Sequence, residues 1–106
     1  MAIEQTGQLN FGADVDGVNH KRFVMRAATI GDAIAAIEKV GDAPSNLKLR
    51  IYKAAEQMLS LGTLDKSAIT GELLMQLDEE DIEPIFNAQD AIEKKRKGLK
   101  SSSSPI

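Results

Sequence analysis

From Leu9 the chain alternates between apolar and polar residues. Leu9, Phe11, Ala13 and Val15 are apolar, while Asn10, Gly12, Asp14 and Asp16 lie between them or follow. A period of two marks a half-buried strand. Asp16-Gly17 then stands between Val15 and Val18. Such a pair suits a type I′ hairpin turn, which needs positive φ at both central residues. The pattern therefore predicts a hairpin over residues 9–27. It puts Phe23 and Met25 on one face of the return strand, and His20, Arg22, Val24 and Arg26 on the other, with His20 facing solvent. Residues 1–8 are polar and are expected to be a flexible N-terminus. A two-stranded ribbon is marginal alone, so it must pack on helices or join another sheet.

The period then lengthens. Thr29-Ile30-Gly31-Asp32 has the form of a capping box, with Asp32 at the third helical position. Ile30, Ala33, Ile34, Ile37 and Val40 fall within an arc of about 120°, the apolar stripe of an amphipathic helix. Gly41 ends that helix, predicted over 30–40. A second helix is predicted over 46–61, with Ser45 as its cap and Gly62 as its stop. Its stripe runs Leu47, Ile51, Ala54, Met58, Leu61, with Tyr52, Ala55 and Leu59 widening it. Leu49 projects toward the polar side. It is read either as a staple folding back on Pro44 or as an exposed partner contact.

Leu64 to Ile69 reads as a connection, and Thr70 as the cap of a short helix over 71–77. The last helix is predicted over 82–97. Asp81 as its N-cap leaves Pro84 in the first turn, where it displaces no hydrogen bond. Its apolar positions, Ile82, Ile85, Phe86, Ala88 and Ile92, stop at Ile92. Asp90–Lys94 and Glu93–Lys97 have the spacing of ion pairs one turn apart. Residues 98–106, with four consecutive serines, read as a low-complexity C-terminal tail. The resulting fold class is α+β, an N-terminal two-stranded β-hairpin followed by a bundle of about four α-helices. All of it lies in a single domain over 9–97.

Composition narrows the classes. The 106 residues suffice for one domain. There is no cysteine, hence no disulfide and no thiolate metal site. Met1-Ala2-Ile3-Glu4-Gln5 lacks the basic and apolar runs of a secretory signal. The longest apolar stretch, Ala33 to Ile37, is far shorter than the ~20 residues of a membrane span. A soluble cytosolic protein is expected. Charge is uneven. Residues 1–93 hold eight Lys and Arg against sixteen Asp and Glu, a net of −8, and Lys94 to Ile106 carries +5. An acidic body repels phosphates, so nucleic acid is not the expected partner.

Catalytic chemistry finds no foothold. His20 is the sole histidine, and no spacing selects a nucleophile or an orienting acid for it. Asp78, Glu79, Glu80, Asp81 and Glu83 lack the order of a calcium loop. As neighbours at a helix start they cannot face each other across a cleft. Helix capping accounts for them. Lys94-Lys95-Arg96-Lys97 has no interleaved aromatic residue for base stacking. No enzyme, metal or cofactor is expected. The remaining class is a binder of protein. Its candidate contacts are Leu49, Leu73, Leu74, Met75, Ile85 and Phe86, which either serve a partner by helix-in-groove docking or complete the core.

Arg26-Ala27-Ala28-Thr29-Ile30-Gly31-Asp32, following a short hairpin and entering an amphipathic helix, resembles the small tail assembly chaperones of contractile-tailed, Mu-like bacteriophages. Leu61-Gly62, and Leu77-Asp78-Glu79-Glu80-Asp81 ahead of the final helix, fit the same pattern, so the likeness spans about Leu9 to Lys97. The resemblance implies a non-enzymatic protein of the host cytoplasm. It would bind the tape measure protein, and possibly the tail tube protein, and be displaced as the tube polymerises. It also implies that a frameshift near the end of the gene can give a longer second product. Two other classes stay open: a tail completion or connector subunit kept in the virion, and a small DNA-binding regulator acting through the basic C-terminus.

Overall fold

Asp16 and Gly17 both adopt positive φ, 52° and 79°, as the type I′ turn requires. Around that turn the computed structural model, which describes residues 3–42 and 45–102, pairs strand β1 (Glu4–Val15) with β2 (Val18–Arg26). The first strand is longer than its apolar pattern. Glu4 to Gln8, expected to be loose, pair with Arg22 to Arg26. Backbone groups of the return strand need partners whatever side chains the partner carries. Gly7 belongs to this stretch because the Phe23 ring lies on it; a Cβ there would come within 2.3 Å of the ring.

Between Gln8 and Ala13 the register slips, so that residues 9–12 face only Lys21. This bulge is the most consequential local feature of the sheet. Gly12 takes φ 87°, and Phe11 leaves the core side that Leu9 and Ala13 occupy. The parity of β2 changes opposite it: Lys21 and Arg22 are both exposed, and His20 turns inward. The expectation of a solvent-facing His20 is thus overturned. The side chain is 5% exposed, and its Nδ1 accepts a hydrogen bond from the Thr63 amide at 3.1 Å. Alternation carries a residue's facing only while the ladder stays in register.

The hairpin gains a third strand. Helix α1 covers Ile30–Val40, and helix α2 covers Asn46–Gln57. The chain then extends into β3 (Met58–Leu61), antiparallel to β2, giving the order β1-β2-β3. The expected helix to residue 61, with Gly62 as its stop, is corrected here. Met58 and Leu61 are buried, and a three-residue spacing suits one face of a helix as well as this irregular strand. The open edge of β2 decides between them. Gly62, at φ 58°, donates to the Arg22 carbonyl at 2.7 Å and sits against the His20 ring. The carbonyls freed at the end of α2 are taken by distant cations. Lys66 Nζ donates to Ala55, Glu56 and Met58 oxygens, and Arg26 Nη2 to the Glu56 oxygen at 3.0 Å.

Helix α3 (Gly71–Met75) is capped by Thr70. A 3₁₀ turn at Glu79–Asp81, capped by Asp78, leads into helix α4 (Ile82–Ser102). Pro84 lies in the first turn of α4, as expected, but Asp81 does not cap the helix. Its carboxylate is fully buried and accepts the backbone N–H groups of Asn10, Phe11 and Gly12 at 2.6, 2.9 and 3.0 Å. One side chain thereby satisfies the donors that the bulge leaves without a strand partner. Helix α4 also outlasts its expected end at 97. Lys95 Nζ reaches the Glu4 carbonyl (3.0 Å) and Gln5 Oε1 (2.8 Å), which holds its last turns along β1. Residues 98–102 of the expected tail are helical, and 103–106 lie outside the described residues. The expected pairs within α4 give way to Asp90–Arg50 at 2.8 Å and Glu93–Arg96 at 2.7 Å.

The core lies between the sheet and α2, α3 and α4, with Phe23, Met25, Met58, Leu61, Ile85 and Ile92 among its members. A smaller cluster of Ala36, Val40 and Tyr52 joins α1 to α2, with Leu49 packed against it. The staple expected between Leu49 and Pro44 falls on a residue outside the described set.

Candidate functional site: the outward face of the first helix

Helix α1 begins as its sequence specifies. The Thr29 hydroxyl accepts from the Asp32 amide at 3.2 Å, and Asp32 Oδ2 accepts from the Thr29 amide at 2.8 Å, completing the capping box. Asp32 is also held by the Arg26 guanidinium through two hydrogen bonds, 2.6 and 2.9 Å. The Arg26 bond is the main reason the Asp32 carboxyl lies below its ordinary pKa, and the same bond raises that of Arg26. Arg26 bridges onward to the Ala27 and Glu56 carbonyls, while the buried Gln57 side chain donates to the Arg26 carbonyl at 3.0 Å. In the last turn of α1, Lys39 pairs with Glu56 at 2.8 Å. That bond raises the Lys39 pKa.

These contacts fix which way α1 faces. Asp32, Ala36 and Val40, four residues apart in succession, turn inward. Ile30 and Ile34 each lie two residues from Asp32, roughly 200° around the helix. They must then point outward. Ile30 is 82% exposed, Ile34 51% and Ile37 60%. Of the stripe that periodicity would assign to the core, the three isoleucines face solvent, Ala33 is half-buried and Val40 turns inward. Leu47, at the start of α2, adds a fourth exposed aliphatic side chain at 53%. Beside them a shallow groove opens between α1 and α2, with Ala33, Ala36, Ile37 and Leu49 on its walls and Lys53 at its edge.

The contacts expected from sequence are partly brought together elsewhere. Leu74, Met75, Ile85 and Phe86 share a second groove, between α3 and α4. Leu74 and Ile85 form its buried floor, whereas Met75 is 47% exposed. Phe86 is half-buried under the Arg50 guanidinium, 3.9 Å from the ring centre. Leu73 lines an adjoining depression with Phe11, and Leu49 belongs to the α1–α2 groove. Sequence reasoning missed Ile30, Ile34, Ile37 and Leu47. The available signal was Asp32. A capping acid with an arginine six residues earlier marks the anchored side of the helix, opposite the isoleucines.

His20 is buried, and its Nδ1 is engaged by the Thr63 backbone amide within the fold. Among the described residues no three His, Asp or Glu side chains come together as a metal site, and no helix is long and apolar enough to cross a membrane. No protein-family model matches the chain, nor does any curated protein or solved structure.

Proposed function

We propose that this chain is a non-enzymatic tail assembly chaperone of a contractile-tailed bacteriophage. It binds the helical tape measure protein in the host cytoplasm before the tail tube polymerises. The observation that carries the reading is the row Ile30, Ile34, Ile37 held outward on a helix whose polar side is pinned by Arg26–Asp32. The same Arg26-to-Asp32 segment carries the family resemblance. Spacing of i, i+4, i+7 matches the anchors of helix-in-groove recognition.

Magnitude favours a reversible contact. Full burial of one aliphatic side chain is worth about 1.5–3 kcal/mol. The four exposed ones together hide the equivalent of two to three, or roughly 4–7 kcal/mol gross. Association costs of about 4 kcal/mol or more offset most of that. A chaperone that must release its client to the growing tube needs such a balance. A permanent virion subunit needs a larger interface.

Co-expression with the tape measure protein of the same phage tests the proposal. A recovered complex that is lost with Ile30→Ser/Ile34→Ser/Ile37→Ser supports it. A client no more soluble with the chain than without it overturns it. Stoichiometric retention in purified particles would favour the connector reading instead.

A further inference from the structure

The two apolar grooves of the molecule differ in the charge at their edges. Asp78 and Glu79 are the charged residues lining the one between α3 and α4. The one between α1 and α2 is the reverse: its charged residues are Arg50 and Lys53, both cations. Glu38 stands exposed on α1 but outside that lining. The chain as a whole is acidic, with a net charge of −3. A cationic edge on an apolar groove therefore runs against the general field of the protein.

Arg50 is already committed. Its guanidinium donates to Gln89 Oε1 and Asp90 Oδ1, both at 2.8 Å, and lies over the Phe86 ring. Lys53 is not committed. It is half-buried, and among the described residues its ammonium forms no ion pair or hydrogen bond. Asp90 and Glu93, which share the neighbouring polar depression with it, are held by Arg50 and Arg96. Glu56, one turn further along α2, is held by Lys39. Lys53 thus borders the apolar walls of Ala33, Ala36, Ile37 and Leu49 as an unpaired cation.

A helix laid in this groove takes water from the Lys53 ammonium. An apolar or basic neighbour would leave that charge partly dehydrated and unpaired, which is costly. A carboxylate there turns the cost into an attraction. We infer that the α1–α2 groove receives an amphipathic helix with a carboxylate beside its apolar anchors, and that Lys53 selects this helix by pairing with the carboxylate. The inference rests on the reading of the α1 face as a docking site for a helical client, and it names the chemistry of the client segment. The acidic edge of the α3–α4 groove repels the same helix, so the two grooves sort partner helices by charge.

Two synthetic amphipathic peptides test it, with the same leucine stripe flanked by Glu in one and by Lys in the other. Their binding to the full chain is read by fluorescence anisotropy at low and high salt. The Glu peptide is expected to bind about fivefold more tightly or better, against the net charge of the chain, as a well-placed but partly exposed ion pair allows. The preference should shrink at high salt, persist in Lys53→Arg and reverse in Lys53→Glu. Ile37→Ser, on the groove wall, should weaken binding of the Glu peptide. Equal affinity for the two peptides, no binding of either, or a preference unchanged by Lys53→Glu overturns the inference. So does dimerisation of the chain that Lys53→Glu abolishes, because a second copy would then fill the groove. Failure to capture the tape measure protein bears on the proposed function alone, since neither peptide comes from it.

Discussion

In α4, Ile85, Ala88 and Ile92 are buried in the core, and the charged residues from Glu83 to Lys97 face water. In α1 the arrangement is reversed: Asp32 is buried, and Ile30, Ile34 and Ile37 face water. Both helices carry the same 3.6-residue apolar period. They differ in what their polar residues can bond. The anchoring acid of α1 meets a guanidinium aimed at it from the end of β2, and the helix is capped by the same carboxylate. A charge that is paired, capped and partly dehydrated is costly to expose unpaired, and that cost sets the rotation of the helix. The acids at the start of α4 divide the work differently. Asp81 is drawn into the β1 bulge, and Glu79, Glu80 and Glu83 stay in water. Amphipathicity therefore identifies a helix, and the partners of its polar groups decide which side is inside.

The sharpest test of this contrast acts on the buried acid of the α4 region. Asp81→Asn removes the charge that three amides share and offers them a competing donor. A loss of about 3–4 kcal/mol is expected in urea unfolding, comparable with breaking a buried pair. A loss below about 1 kcal/mol would show that the bulge holds itself. The aliphatic positions come next. Ile92→Ala should cost about 2–4 kcal/mol, because it opens a cavity between α4 and the sheet.

Asp32→Asn is expected to cost about 2 kcal/mol, less than a fully buried pair because Arg26 remains a third exposed to water. This variant also tests the electrostatics through pH. The folded state holds the Asp32 carboxyl below its ordinary pKa. Its contribution is therefore complete above the ordinary carboxylate value and is lost as pH falls through the lowered one. The melting temperature of the wild type should drop over that acid interval, and Asp32→Asn should lack this component of the drop. The smallest expected effect is at the outward row. Ile34→Ser should cost only about 1 kcal/mol, since half of the side chain is already in water, while weakening capture of the proposed client at least tenfold. A large destabilisation there would mean that the row is core after all, and the contrast between the two helices would collapse.

Local chemistry was legible along the chain wherever neighbours in sequence decide it. The Asp16-Gly17 turn, the Thr29 capping box, the Ser45 and Thr70 caps and the first-turn place of Pro84 all stand as their residues indicate. The α+β class and the hairpin followed by helices are likewise present, with a third strand added. Features that rest on distant partners were not legible. Met58 to Leu61 carries a spacing common to helix and strand, and the free edge of β2 made it a strand. His20 changed sides because three extra residues of β1 disrupt the ladder opposite it. Of the candidate contacts, Leu74 and Ile85 were drawn into the core by α2 and the sheet.

Turn and cap preferences come from φ, ψ and bonds spanning three or four residues, so the amino-acid order determined them by itself. The facing of α1, the docking of Asp81 across some seventy residues onto the bulge and the exposure of the isoleucine row were decided only in the tertiary structure. They depend on which buried polar group finds a partner, and those partners lie far away along the chain.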